Sequence, residues 1–110
     1  MKLLENHEQF EQLIGRAPCE YENTLPDLVV IWFSAQWCGP CKKIDVELLE
    51  NRFSATWLKC DIDRNDYTTG YCGLRSIPSF LVVYKKKILG TKSSSNTQEI
   101  LAWLESLPLK

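Results

Sequence analysis

The chain has 110 residues, the usual length of one domain, and its 13 basic residues nearly balance its 14 acidic ones. A formal net charge of −1 gives no overall field that would attract nucleic acid or an anionic membrane. The longest apolar run, residues 28–33, is too short to span a bilayer, and Leu3 and Leu4 before Glu5 are too few for a signal-peptide core. We therefore expect a monomeric cytoplasmic protein with one domain over residues 1–110 and neither nucleic acid nor membrane as a partner.

A first helix is predicted over about residues 6–16. Asn6 is followed three residues later by Gln9, which is a capping-box pattern, and the apolar residues that follow fall on one helical face. Residues 17–26 contain two prolines and are expected to form a loop.

A buried strand and a second helix are predicted on either side of a cysteine pair. Residues 28–33 form a continuous apolar run of strand length, which is typical of a central strand covered on both faces. After Cys38, apolar residues recur at helical spacing while charged residues occupy the other side. The pattern predicts a helix that begins at the segment from Cys38 to Cys41.

The second half of the chain is predicted to contain a strand, a short helix and a hairpin. Residues 57–62 predict the strand, and residues 63–71 are polar enough for a loop and a short helix. Residues 80–84 and 88–90 flank three lysines, so we expect an antiparallel hairpin with a cationic turn at residues 85–87.

A last amphipathic helix is predicted after a second capping-box pattern, which Asn96 and Glu99 form. Its apolar positions are Ile100, Leu101, Trp103, Leu104 and Leu107. The order helix, strand, helix, strand, helix, hairpin, helix indicates an α/β layer whose sheet has a parallel part followed by an antiparallel part.

The five cysteines favour a redox or metal-binding role over a structural one. Without an export signal the expected compartment is reducing, and there paired cysteines are usually redox-active or bind metal. The odd number agrees, because a framework of disulfides would leave one thiol unpaired.

Cys38 and Cys41 are spaced so that both lie on one face at the start of a helix, close enough to form a disulfide. Cys38 comes first, where unpaired backbone N–H groups and the helix dipole favour a thiolate, so it is the predicted nucleophile. Cys41 is the predicted resolving thiol, which releases the substrate from a mixed disulfide with Cys38. Pro40 between them suits the first turn of a helix.

The segment Trp37-Cys38-Gly39-Pro40-Cys41 after an apolar strand, with Ile77-Pro78-Ser79-Phe80 about forty residues later, resembles the thioredoxin family. The resemblance implies the thioredoxin fold, an α/β fold in which four helices flank a central mixed sheet of four to five strands. It also implies a protein-disulfide reductase that needs no cofactor or metal and is itself reduced by a thioredoxin reductase. Clients of such a protein include peroxiredoxin, ribonucleotide reductase and methionine sulfoxide reductase.

The same resemblance implies a substrate-binding surface beside the cysteines. The proline matching Pro78 is cis in the family and faces the active site, so Ile77 is expected to offer its backbone to an extended client segment. Trp37, Gly39 and Pro40 are expected to complete this surface, with Trp37 partly exposed.

Two positions depart from the family pattern, and a third is expected to contact one of them. The buried acid six residues before the first active-site cysteine is replaced by Trp32, which removes the usual proton acceptor for the second cysteine. The lysine that matches Lys59 is kept, and we expect it to lie against the Trp32 ring as a cation–π neighbour. The kinking proline of the family helix is replaced by Val46, so this helix is expected to be straighter. Trp32 and Lys59 are therefore candidate modulators of the site.

Other interpretations remain open at this point. Cys60 and Cys72 could complete a structural zinc site with Cys38 and Cys41, although a second closely spaced pair is absent. Otherwise Cys19, Cys60 and Cys72 are buried or incidental thiols, with Cys72 in a short exposed segment. A non-catalytic module that binds partners through the same surface is the alternative function. An oxidising or isomerising member is disfavoured, because such proteins usually have histidine in place of Pro40.

Overall fold

The computed structural model describes residues 1–18 and 25–109. Within these stretches five strands form one sheet in the order β1-β3-β2-β4-β5. The strands are β1 (Lys2–Leu3), β2 (Leu28–Ser34), β3 (Thr56–Asp61), β4 (Ser79–Tyr84) and β5 (Lys87–Ser93). The α-helices are α1 (His7–Leu13), α2 (Val46–Arg52), α3 (Asp66–Tyr71) and α4 (Thr97–Glu105), and a 3₁₀ turn covers Pro40–Lys43. None of the described helices is long and apolar enough to cross a membrane.

The central strand β2 has neighbours on both edges and cover on both faces. It pairs in parallel with β3, with Val29 opposite Thr56, and antiparallel with β4, with Val29 opposite Val83. All of its residues after Leu28 are buried. The prediction of a strand covered on both faces is confirmed, and the sheet is mixed as expected.

Alternate residues of β2 pack into two separate cores, because successive side chains of a strand point to opposite faces of the sheet. Val30 and Trp32 belong to the core that includes both Cys38 and Cys41. Ile31 and Phe33 belong to the core on the other face, together with Phe10 of α1.

Side-chain caps define the first and last helices. The Asn6 side chain accepts a hydrogen bond from the Gln9 N–H at 2.8 Å, and Asn96 accepts one from the Glu99 N–H at 3.0 Å. Both predicted capping positions are confirmed. Helix α1 ends at Leu13, earlier than predicted, and Gly15 follows with a φ of 76°, a left-handed conformation that stops a helix.

The segment after Cys41 is not one helix, and the prediction of a straighter helix at this place was wrong. The 3₁₀ turn stops at Ile44, whose ψ of 125° is extended, and α2 begins only at Val46. Asp45 restarts the helix, because its carboxylate accepts the Leu48 N–H at 3.1 Å. The Asp45 N–H also donates to Thr97 Oγ1 at 2.9 Å, which ties the break to α4. A cap and a tertiary contact therefore replace proline as the cause of the break.

The sequence did not reveal strand β1, and the hairpin turn predicted from it was one residue too long. Two residues, Lys2–Leu3, are too few to show a strand period, yet they pair in parallel with β3. The turn consists of Lys85 and Lys86, both with positive φ as in a two-residue hairpin, and Lys87 already belongs to β5.

We predict that Asp45→Ala lowers the free energy of unfolding by about 0.5–2 kcal/mol, because the first turn of α2 loses its side-chain acceptor. Asp45→Asn keeps an oxygen that can accept the same N–H and is expected to lose only a small part of this stability. Urea denaturation of the three proteins checks the prediction, and equal losses in the two variants would contradict it.

Candidate active site

The two candidate cysteines lie on the turn that follows the carboxyl end of β2. The strand ends at Ser34, and the backbone of Cys38 donates a hydrogen bond to the carbonyl of Ala35 at 3.1 Å. This bond turns the chain so that Cys38 lies just before the 3₁₀ turn that contains Cys41. The two cysteines form a disulfide, with Cα atoms 5.3 Å apart.

The local electrostatics distinguish Cys38 from Cys41. The backbone N–H of Cys41 donates to Cys38 Sγ at 3.1 Å. When the disulfide is reduced, this donor stabilises negative charge on Cys38, because a hydrogen bond to a charged group favours its charged form. The sequence predicted that a helix dipole would favour the Cys38 thiolate, but the 3₁₀ turn has only four residues. The hydrogen bond from the Cys41 N–H is the stabilising contact that the structure shows.

Trp37 is the exposed aromatic residue of the site. Its side chain is 66% exposed, and its indole N–H donates to Asp63 Oδ2 at 2.8 Å. The hydrogen bond holds the ring by one edge, while most of the side chain stays open to solvent. Its exposure agrees with the expectation, and its role in docking stays a prediction.

A shallow groove of about 190 Å³ runs beside the cysteine turn. It is lined by Pro40, Ile77 and Pro78, and the peptide bond between Ile77 and Pro78 is cis. The rest of its wall consists of serines, namely Ser76, Ser93, Ser94 and Ser95. The structure thus brings together the two motifs that lie about forty residues apart in the sequence.

Trp32 lies in the same core as Cys38 and Cys41. Its ring stacks on Phe80 with centroids 6.4 Å apart, and Lys59 Nζ lies 5.2 Å from the Trp32 ring centroid. The expected cation–π contact is confirmed. The Trp32 indole N–H is buried and has no acceptor among the described residues, which costs about 1–3 kcal/mol. An indole is also no proton acceptor, so position 32 offers Cys41 no base.

A sequence model of the thioredoxin family matches residues 5–106 of the chain. The chain belongs to the thioredoxin family. Mouse thioredoxin is 30% identical to it over 105 residues, covering 93% of each chain. The structure of Fasciola hepatica thioredoxin is 28% identical, with a TM-score of 0.78 over 96% of this chain and 97% of that one. Oxidised yeast mitochondrial thioredoxin 3 is 25% identical, with a TM-score of 0.80 over 97% and 95%.

Family membership settles the fold class and the broad chemistry. The predicted thioredoxin fold, with a mixed sheet and four flanking helices in the described part of the chain, is confirmed. A cysteine pair that forms a disulfide within a thioredoxin-family chain supports a thiol-disulfide oxidoreductase. The individual roles assigned to the site residues stay predictions.

The sequence did not identify Asp63 as a residue of this thioredoxin-family site. A signal for it was present, because the carboxyl ends of parallel strands meet at one edge of a sheet. Ser34 of β2 lies opposite Asp61 of β3, so the residues that follow the two strands come together. Asp63 therefore reaches Trp37 from the loop after β3.

The remaining cysteines are not gathered around the disulfide. Cys60 is fully buried in the core on the other face of β2, so the four-cysteine zinc arrangement is not formed. In residues 1–18 and 25–109, no three His, Cys, Asp or Glu side chains are grouped to hold a metal ion. Cys72 is half-buried rather than exposed. Cys19 lies outside the described residues.

Burial keeps the two described thiols protonated. Desolvation raises the pKa of Cys60 from 9.0 to about 11, although a hydrogen bond with Thr69 partly opposes the shift. Desolvation also raises the pKa of Cys72 from 9.0 to about 11, and the neighbouring Cys60 adds to it. Since the thiolate is the reactive form, both are poor nucleophiles at neutral pH.

We predict that iodoacetamide modifies Cys72 faster than Cys60 between pH 7 and 9, because Cys72 is only half-buried. For both thiols the rate should rise about tenfold per pH unit, since the thiolate fraction grows in that proportion below the pKa. The oxidised protein is used so that Cys38 and Cys41 do not react, and peptide mass spectrometry follows each cysteine separately. Faster modification of Cys60, or rates independent of pH, would show the assignment to be wrong.

Proposed function

We propose that this chain reduces disulfides of client proteins through reversible oxidation of Cys38 and Cys41, and that a thioredoxin reductase restores its dithiol. The observation that carries the proposal is the Cys38–Cys41 disulfide at the end of β2, directly beside the groove of Ile77 and Pro78. Peroxiredoxin, ribonucleotide reductase and methionine sulfoxide reductase are the proposed clients. The proposed setting is the cytoplasm, with the protein acting as a monomer.

Docking of the client uses the groove and the exposed aromatic. An extended client segment lies along the groove and pairs with the backbone of Ile77, as strand addition commonly does. Trp37 covers the segment from the side. Gly39 also aids docking. No other atom of the described chain lies within 4 Å of the position that a side chain at residue 39 would occupy, so a client backbone can approach here.

Reduction then proceeds in two exchanges. The Cys38 thiolate attacks one sulfur of the client disulfide, and the other client sulfur leaves as a thiolate that takes up a proton. Cys41 next loses its proton and attacks Cys38 Sγ, which releases the second client thiolate and forms the Cys38–Cys41 bond. Two electrons pass from the dithiol to the client. The Cys41 N–H that contacts Cys38 Sγ favours Cys38 as the first nucleophile.

A partner-binding module without turnover is the second candidate, and Trp32 is the observation that favours it. Its indole supplies no base for the Cys41 proton, so the second exchange lacks the assistance on which a fast reductase depends. Reduction of a protein disulfide with dithiothreitol as the electron source separates the two candidates. Catalytic turnover supports the reductase, and none supports the module.

We predict that Cys38→Ser abolishes disulfide reduction, because the first exchange has no nucleophile. Cys41→Ser should still attack but not resolve, so it accumulates mixed disulfides with client proteins. Cys72→Ser is the matched control and should behave like the unaltered protein. Non-reducing gel electrophoresis and the reduction assay check all three. An active Cys38→Ser variant, or no trapped client with Cys41→Ser, would reverse or remove the assigned roles.

We also predict that Trp32→Asp speeds the second exchange near neutral pH, because a carboxylate at position 32 can accept the Cys41 proton. Loss of the indole leaves a cavity and buries a carboxylate, so stability should fall by several kcal/mol. Trp32→Phe is the control for the change in volume without a base. Single-turnover resolution is measured from pH 6 to 9 on proteins shown to be folded. Identical rates and pH profiles would mean that position 32 has no part in proton transfer.

A further inference from the structure

The groove of Ile77 and Pro78 presents hydroxyl groups to a docked segment. Four of its seven lining residues are serines, namely Ser76, Ser93, Ser94 and Ser95. The other three are Pro40, Ile77 and Pro78, so none of the seven carries a charge. The hydroxyls are therefore the polar side-chain groups that a client side chain meets in this groove, and their hydrogen bonds decide which side chains fit.

The direction of the Ser93 hydroxyl is determined by Ser79, which lies opposite it on β4. Ser79 is fully buried, and its hydroxyl donates to the carbonyl of Ser76 at 2.6 Å. A hydroxyl has only one proton to donate, so in its contact with Ser93 the Ser79 oxygen accepts and Ser93 Oγ donates. The proton of Ser93 is thereby used, and its oxygen offers the groove an acceptor only.

The next residue, Ser94, has the opposite polarity. Its oxygen accepts the Asn96 N–H at 3.0 Å, which leaves its proton free to be donated into the groove. The hydroxyls of Ser76 and Ser95 have no partner in the part of the chain that the structure describes. They can rotate to donate or to accept and do not discriminate between client groups. Ser93 and Ser94 together therefore present an acceptor beside a donor.

We infer that the groove selects client segments that carry a side-chain amide, asparagine or glutamine, within two residues of the reactive cysteine. The amide combines an NH₂ donor for Ser93 with a carbonyl acceptor for Ser94. A carboxylate has acceptors only and opposes the Ser93 oxygen, whereas an apolar side chain displaces water from both hydroxyls without replacing it. The short spacing follows because Pro40, which precedes Cys41, lines the same groove. The inference rests on the proposed function, since it concerns the clients of that reaction.

The test uses short peptides that each contain one cysteine joined to 2-mercaptoethanol by a disulfide. Asparagine, aspartate or leucine, which are similar in size, is placed at each of the two positions before and after the cysteine. Reduced protein reacts with pairs of these peptides in competition, and mass spectrometry gives the ratio of their rates. The same ratio with dithiothreitol measures the intrinsic reactivity of each peptide and is divided out.

At one of these positions we expect the asparagine peptide to react about two- to tenfold faster than the aspartate and leucine peptides. Ser93→Ala removes the acceptor and should abolish the preference over aspartate, while Ser79 keeps its bond to the Ser76 carbonyl. Ser94→Ala removes the donor and should lower the preference over leucine but keep that over aspartate. Ser94→Thr retains a hydroxyl and should restore the preference. Ser54→Ala, at an exposed serine outside the groove, is the matched control.

Two results would overturn the inference while leaving the proposed function intact. The first is reduction of all peptides in the same ratios that dithiothreitol gives. The second is an equal loss of rate for every peptide in Ser93→Ala and Ser94→Ala, which would mean that the hydroxyls bind the client backbone rather than its side chain. Failure of the reduced protein to react with any peptide would instead overturn the proposed function, and the inference with it.

Discussion

Burial of β2 on both faces and both edges is the constraint on which the site depends. With β3 on one side and β4 on the other, the strand cannot shift its register without exposing one of two cores. Its carboxyl end therefore fixes where the turn containing Cys38 begins. The neighbours bring their own contributions to the same edge, because Asp63 follows β3 and Pro78 precedes β4. The reactive cysteines lie on a turn, but the sheet determines the position of that turn.

Trp32 changes the buried part of this site, whereas the residues beside the groove match the family motif. The ring packs on Phe80 and carries Lys59 on its face, so a cation–π contact occupies the place where the family resemblance implies a buried acid. The substitution keeps the core filled but leaves a donor without an acceptor and a lysine without an acidic partner among the described residues. In the proposed mechanism, docking and the first exchange depend on Trp37, Pro78 and Cys38, which are retained. In that mechanism the second exchange is the step that the substitution is expected to affect.

Features that depend on adjacent residues could be predicted from the sequence, whereas features that depend on contacts between distant residues could not. The apolar run of β2 and the caps at Asn6 and Asn96 depend on a few adjacent residues, and the structure confirms them. The break after Cys41 depends on Thr97, a residue 52 positions away from Asp45, so no local pattern contained it. The contact of Lys59 with Trp32 was predictable only through the family resemblance.

The reduction potential of the Cys38–Cys41 pair is the most direct test of the central claim that this chain is a reductase. It is measured by equilibrating the protein in glutathione or dithiothreitol redox buffers and quantifying the two forms. We expect a reducing value close to that of thioredoxin, about −270 mV, which is the general value for the family rather than one set by the geometry of this site. A value near about −120 mV, as in strongly oxidising disulfide catalysts, would contradict the claim.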